Sequence, residues 1–352
     1  RTAGSPSASI HRRRAFLLRL GRLRAEKLDD FIGAPELLSQ LVTEDPGDDE
    51  ALAALESLEQ DLRERDERPE LRVDIARTLE PVYRSRQDPE SLARVLEVRV
   101  DDLVDPFEQL GVLDELIDIY DQRLDDTEQA FATLQRTMPI DPDDPGRRER
   151  LIEMGERLEQ LEEAADALSE AALEADPIEA PAIYRRIAEL YDQTLQQSSK
   201  AIEYYEQAVE VQPEDEEALE ALETLYQNTS DFEKLADNLR KQVRLGDPGK
   251  QPDLLERLGT IYEEVLDQPE DAIDAYHELL DVDPESTAAF DSLERLYEKL
   301  ERWIDLADIL RRRADATFDE EVRVATLERL AEVYENELDD VVEAISIYNE
   351  LL

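Results

Sequence analysis

The sequence has no cysteine, two histidines, one tryptophan and ten glycines in 352 residues. Without cysteine there is no disulfide framework, no thiolate metal cluster and no thiol nucleophile. His11 and His277 leave no His pair for a metal or base cluster. No apolar run approaches the ~18 residues that a membrane-spanning helix needs. The phosphate-binding pattern G-x-x-x-x-G-K-S/T, the dinucleotide pattern G-x-G-x-x-G, the zinc pattern H-E-x-x-H and the nucleophile elbow G-x-S-x-G are all missing. Asp141-Pro142-Asp143-Asp144-Pro145-Gly146 opens like a calcium loop. Its twelfth position is Ile152, where a bidentate Glu is required, so it reads as an interhelix turn. Among so many carboxylates close acidic pairs arise by chance, and none stands out as an acid/base dyad. We expect no enzyme activity, no cofactor and no metal site.

What is present is acid and helix. Asp plus Glu number 91 against 40 Lys plus Arg, a formal net charge of −51. Hydrophobic residues make up 41%, enough for a real core, so wholesale disorder is excluded. Scarce glycine with abundant Glu and Leu favours helix. Residues 1–27 run against the trend, with seven Arg, one Lys and one Glu. The sequence starts at Arg1 and ends at Leu352 within an apolar run, so we expect a fragment of a longer chain.

Internal repetition is the strongest signal. Tyr120, Tyr191, Tyr262 and Tyr334 are spaced by 71, 71 and 72 residues, as are Ala130, Ala201, Ala272 and Ala344. Pro142, Pro213 and Pro284 keep the 71-residue step. A second unit interleaves, marked by Leu161, Phe232 and Trp303, by Ala165, Ala236 and Ala307, and by Leu168, Leu239 and Leu310. The period is thus a first-type unit of about 34 residues and a second-type unit of about 37. Each unit predicts two helices. Leu254, Leu255, Leu258, Ile261, Tyr262 and Val265 step by threes and fours, the spacing of one helical face. Ala272, Ile273, Ala275, Tyr276, Leu279 and Leu280 do the same. Between them Asp267 is placed to cap and Pro269 to start the next helix. One such pair cannot bury its stripe alone, so neighbours must stack.

These residues resemble the tetratricopeptide repeat. One unit supplies Tyr184, Ile187, Ala188, Tyr191, Ala201, Tyr205, Ala208 and Pro213. The next supplies Leu255, Leu258, Gly259, Tyr262, Ala272, Tyr276 and Pro284, and the last Leu327, Leu330, Ala331, Tyr334, Ala344 and Tyr348. First-type units carry one extra residue between Tyr and Ala. Second-type units put Glu223 and Glu294 where the family has a small residue. The resemblance covers 106–352 well and 16–105 loosely, and it looks like the long acidic arrays of large bacterial proteins. It implies an all-α, helical-hairpin solenoid of about nine helix pairs wound as a right-handed superhelix. We divide the chain into a disordered basic tail (1–12), irregular helical repeats (13–105) and a regular array with the 71-residue double repeat (106–352). In the irregular part, Pro46 to Tyr120 is 74 residues where later repeats use 49 or 50. One added helix within 48–84 accounts for the difference. Pro81 should kink or split the pattern over 70–84.

In the resembling family the first helix of each unit lines a groove that holds partner peptides. The corresponding non-core positions are Arg185, Glu189, Gln193, Glu256, Thr260, Glu264, Glu328, Glu332 and Asn336. The family's carboxylate clamp needs a basic residue followed four positions later by Asn. Here Arg185 is followed by Glu189, so the clamp is broken and an acidic face for basic or neutral protein segments is implied. The acidity also fits a solvated surface tuned to high salt, given six Lys against 34 Arg. Residues 11–24 form a basic amphipathic helix with Arg12, Arg13, Arg14, Arg19, Arg22 and Arg24. Its arginines could meet the acidic body, an anionic membrane surface, or a neighbouring acidic array. Nucleic acid is disfavoured because the acidic body repels phosphate. The expected role is a cytoplasmic, non-catalytic interaction scaffold. The alternatives are an element that self-assembles end to end and the sensing arm of a larger signalling protein or enzyme.

Overall fold

The computed structural model describes residues 6–28, 32–64, 69–245 and 247–352, and every regular element among them is helical. The side chains of residues 6–10, 26 and 69 lie outside the description. The chain divides into two compact units, residues 1–183 and 184–352. The sequence boundary at 105/106 marked where repeat regularity begins; the division at 183/184 follows packing instead.

In the first unit, α1 (Pro6–Leu28) pairs with α2 (Gly33–Glu44), and α3 (Asp49–Glu64) stands between that hairpin and the next. The hairpins α4 (Pro69–Arg86) with α5 (Pro89–Val100), α6 (Pro106–Asp118) with α7 (Thr127–Thr137), and α8 (Pro145–Leu158) with α9 (Leu161–Glu174) follow. Helix α10 (Ala180–Glu189) spans the division. The second unit continues with α11 (Ser198–Val211), α12 (Glu216–Thr229) and α13 (Phe232–Leu245). It ends with α14 (Gln251–Thr260) and α15 (Pro269–Val282), α16 (Thr287–Lys299) and α17 (Trp303–Ala316), and α18 (Glu320–Asn336) and α19 (Val341–Glu350). Within each unit consecutive helices pack on one another, so the all-α hairpin stack is what the residues build.

Local chemistry sets each hairpin. In α15 the residues Ala272, Ile273, Ala275, Tyr276, Leu279 and Leu280 are all buried, which is the stripe that the spacing predicts. Gly259 in α14 is required by that packing. A Cβ there would lie 2.5 Å from the Tyr276 ring, so the ring occupies the space that a side chain would take. The Ser286 hydroxyl accepts from the Ala289 N–H and caps α16. Asp267, expected as a cap, is instead a left-handed residue (φ 51°) that reverses the chain before Pro269. Asp125, Gln196 and Asp339 adopt the same conformation in the other first-type units.

The extra residue of the first-type units has a defined home. Helices α6, α10 and α14 each run on into a π turn, at Ile119–Arg123, Leu190–Thr194 and Ile261–Val265. One added residue in a helix is accommodated this way, by a bond five residues back. Leu124, Leu195 and Leu266 donate to Ile119, Leu190 and Ile261, and Leu338 donates to Val333 in the fourth unit. The repeating tyrosines then accept the closing bond, from Asp126, Gln197, Gln268 and Asp340 at 2.7–2.8 Å.

Two expectations need correction. Residues 6–12, assigned to a disordered tail, form the first turns of α1, with Pro6 in the first turn where a missing N–H costs nothing. Residues 1–5 of that tail lie outside the described residues. Pro81 does not split α4, which runs unbroken from Pro69 to Arg86. Pro81 is exposed, so the carbonyl that loses its donor faces water.

Candidate interaction surface

In residues 184–352 the first helix of each hairpin is tied to the next by ion pairs. Arg185 of α10 meets Asp215 before α12 at 2.8 Å, and Arg257 of α14 meets Glu223 of α12 at 2.6 Å. Arg295 of α16 meets Glu263 at 2.8 Å, and Arg329 of α18 meets Glu294 of α16 at 2.9 Å. These bridges set α10, α12, α14, α16 and α18 side by side as one layer. All nine residues assigned to a groove lie on it, in repeat-equivalent columns 185/256/328, 189/260/332 and 193/264/336.

The layer sorts them. Arg185 is half-buried and also pairs with Glu217 at 2.8 Å, so it is a bridge between helices and not a free cation. Glu189 is half-buried and meets Arg186 at 3.1 Å. The Thr260 hydroxyl donates to the Glu256 carbonyl within its own helix. Gln193 and Asn336 are exposed and neutral. Glu256, Glu264, Glu328 and Glu332 are exposed and meet no cation at ion-pair distance among the described residues. The Tyr348 hydroxyl donates to Glu335 at 3.4 Å, and burial together with the carboxylates of Glu335, Glu332 and Glu328 pushes it above its usual range.

The arginines of α1 also divide. Arg14 pairs with Asp45 at 2.5 Å and Asp48 at 2.6 Å, and Arg22 donates to the Glu50 carbonyl at 3.1 Å. Arg24 donates to the Gly33 carbonyl. These three hold α1 to the body and are not available for docking. Arg12, Arg13 and Arg19 are exposed and meet no carboxylate at ion-pair distance among the described residues.

Residues 182–215 and 253–286 match family models for the tetratricopeptide repeat. The chain carries tetratricopeptide repeats. Both matched stretches are first-type units, displaced from each other by the 71-residue period. No curated protein sequence matches the chain. Among solved structures, MamA is 19% identical over 49% of this chain and 91% of its own, with a TM-score of 0.30. YrrB, a repeat protein described as having an unusual peptide-binding site, is 17% identical over 53% of this chain and 91% of its own, at 0.30. MamA residues 41 to the end from Desulfovibrio magneticus RS-1 is 15% identical over 50% and 94%, at 0.28.

The tetratricopeptide pattern did not foretell the use made of its odd glutamates. Glu294 is 5% exposed, in the position of a small residue. It accepts from Arg313 of α17 at 2.7 Å and Arg329 of α18 at 2.9 Å, clasping three helices. One period earlier Glu223 accepts from Gln242 at 2.9 Å and Arg257 at 2.6 Å in the same geometry. One period earlier again the equivalent positions are Ile152 and Ala171, both buried and apolar. The signal was available: Glu at 223 and 294 recurs in register with a polar residue 19 positions on and an Arg 34 or 35 on. His277, read as surface or helix packing, is half-buried with Nε2 2.6 Å from the Tyr297 hydroxyl. The aspartates of the rejected calcium loop are occupied. Asp144 caps α8, Asp141 meets Arg147 at 3.2 Å, and Asp143 accepts from the Asp176 N–H.

The charge layout gives a first prediction. An exposed ion pair contributes at most about 1 kcal/mol, whereas the net charge of −51 repels over the whole chain. Salt shortens the screening length from about 30 Å at 0.01 M to about 3 Å at 1 M. The loss of repulsion outweighs the loss of pairing, so Tm is expected to rise by several degrees across that range. A Tm that stays flat or falls in differential scanning calorimetry would show that the ion pairs dominate.

Proposed function

We propose that this chain is a non-catalytic protein-interaction scaffold whose first-helix layer in residues 184–352 takes basic or neutral segments. The observation that carries this reading is the division of charge on that layer. Arg185, Arg257, Arg295 and Arg329 are used in bridges between helices, while Glu256, Glu264, Glu328 and Glu332 are left exposed and unpaired among the described residues. A partner then makes several weak contacts along the repeats, and affinity comes from their number. The acidic field raises the encounter rate for a basic segment and rejects an acidic tail. No described helix is long and apolar enough to cross a membrane.

The test uses synthetic peptides of equal length and graded charge, with binding followed by fluorescence anisotropy. Basic peptides should bind, and added salt should weaken them. Each exposed pair contributes about 0.5 kcal/mol. The combined change Glu256→Gln, Glu264→Gln, Glu328→Gln and Glu332→Gln should therefore weaken binding about thirtyfold. Equal binding of acidic and basic peptides, or no effect of the four changes, would remove the reading.

A further inference from the structure

We propose that the cleft between α11 and α13 takes an extended segment of a partner protein, held by its main chain and flanked by basic side chains. The proposal is independent of the acidic-layer reading, because this cleft is walled by second helices of the hairpins and not by the first-helix layer.

The cleft has a volume of about 420 Å³, with Val209 of α11 and Leu222 and Tyr226 of α12 among its lining residues. The same cleft recurs 71 residues on, between α15 and α17, at about 150 Å³. Two substitutions separate them. Arg312 reaches across the later cleft and donates to the Leu280 carbonyl at 2.7 Å and to Asp281 at 3.0 Å. Its counterpart Lys241 makes no such bridge; it is exposed and meets no carboxylate at ion-pair distance among the described residues. Ile309, 2% exposed, gives the later cleft an apolar wall, and its counterpart is Asn238.

Asn238 is 3% exposed, and its Nδ2 donates to the Leu219 carbonyl at 2.8 Å. Its Oδ1 is buried without a hydrogen-bond partner among the described residues. An orphaned buried acceptor costs stability, and Ile309 and Ala167 show that the position packs without one. The Oδ1 therefore calls for a donor from outside the chain. Glu206 is already occupied, accepting from the Tyr226 hydroxyl at 2.7 Å and from Lys234 at 2.8 Å. The cleft thus offers one acceptor, Asn238 Oδ1, and one free donor, Lys241 Nζ. A peptide group is the complement, with one N–H and one carbonyl. It is neutral, so the field of a chain at −51 does not repel it. Glu210 on one wall and Asp237 on the other are exposed and meet no cation at ion-pair distance among the described residues. They favour basic side chains on either side of the buried peptide group.

The probes are capped hexapeptides with a valine–glycine centre and lysine, serine or glutamate flanks, titrated into the full chain labelled with nitrogen-15 asparagine. The chain has four asparagines, so the Asn238 side-chain signal can be read directly and assigned by its loss in Asn238→Ile. That signal should move saturably with the lysine-flanked peptide, which should bind about tenfold more tightly than the glutamate-flanked one at low salt. Lys241→Arg should close the cleft as Arg312 does and abolish the shift in a chain that stays folded by circular dichroism. Lys241→Ala, which needs no closure, should weaken binding, and Asn238→Ile should raise Tm by removing the orphan. The combined Glu256→Gln, Glu264→Gln, Glu328→Gln and Glu332→Gln variant should keep the Asn238 shift, which separates this site from the acidic layer. An Asn238 signal that no peptide moves overturns the proposal, the orphan then serving a water molecule only. So does an equal shift from free valine, which would make the cleft a small-molecule site, equal affinity for the glutamate-flanked peptide, or a shift that survives Lys241→Arg.

Discussion

Glu294→Ala is expected to lower the stability of residues 184–352 by about 3 kcal/mol, the loss that follows when one partner leaves a buried ionic cluster. Glu294 is 5% exposed and its carboxylate serves Arg313 and Arg329 together. Removing it leaves the Arg313 guanidinium, itself 19% exposed, with Asp291 as its remaining partner. Arg329 keeps Glu298 and can turn toward water, which holds the cost near the lower end of that range. The array also contains its own rescue. Ile152 and Ala171 occupy the equivalent positions one double period before Glu223 and Gln242, and they pack without charge. The pair Glu294→Ile with Arg313→Ala should recover most of the loss, because an apolar pair removes the desolvation cost with the attraction, and Ile152 with Ala171 already packs that way. Urea unfolding of the three proteins measures this. A Glu294→Ala midpoint equal to that of the wild type would mean that the clasp contributes nothing. A double variant worse than the single would mean that the pocket cannot close around isoleucine.

The clasp shows where legibility in the sequence stops. The repeat was open to reading because stacking forces the same apolar positions to recur, and Tyr191, Ala201, Leu258 and Tyr276 fall in the core where the period puts them. The extra first-type residue was visible as a count, but its form as a π turn depends on which carbonyl the closing N–H reaches, and spacing does not encode that choice. Asp267 looked like a cap because it lies two residues before Pro269 at the start of the next helix, but the cap position falls on Gln268. Asp267 instead takes the left-handed position, as Asp125, Gln196 and Asp339 do. Glu223 and Glu294 looked like departures because a family pattern scores one position at a time. Their meaning lies in the partners, Gln242 and Arg313 on one helix, Arg257 and Arg329 on another. The candidate surface was legible as a set of positions and much less as a set of charges. Arg185 and Glu189 sit where expected, yet Asp215 and Glu217 neutralise the first and Arg186 of the same helix meets the second, and only the layer as a whole shows which acids remain.

Tyr276→Ala is expected to cost about 4 kcal/mol, in the range for truncating a buried aromatic, while Tyr348→Ala costs about 1 kcal/mol. The two tyrosines occupy one repeat position on α15 and α19. Tyr276 is 2% exposed, enclosed by Gly259 beneath its ring and by the hairpin that follows. Tyr348 is 39% exposed, with Ala331 at the glycine's place and its outer edge uncovered. Identical chemistry thus yields a severalfold difference in cost, set by whether a first helix lies on the far side. Urea unfolding of the two variants measures both costs, and equal losses would show that the outer edge of Tyr348 is as enclosed as the Tyr276 ring.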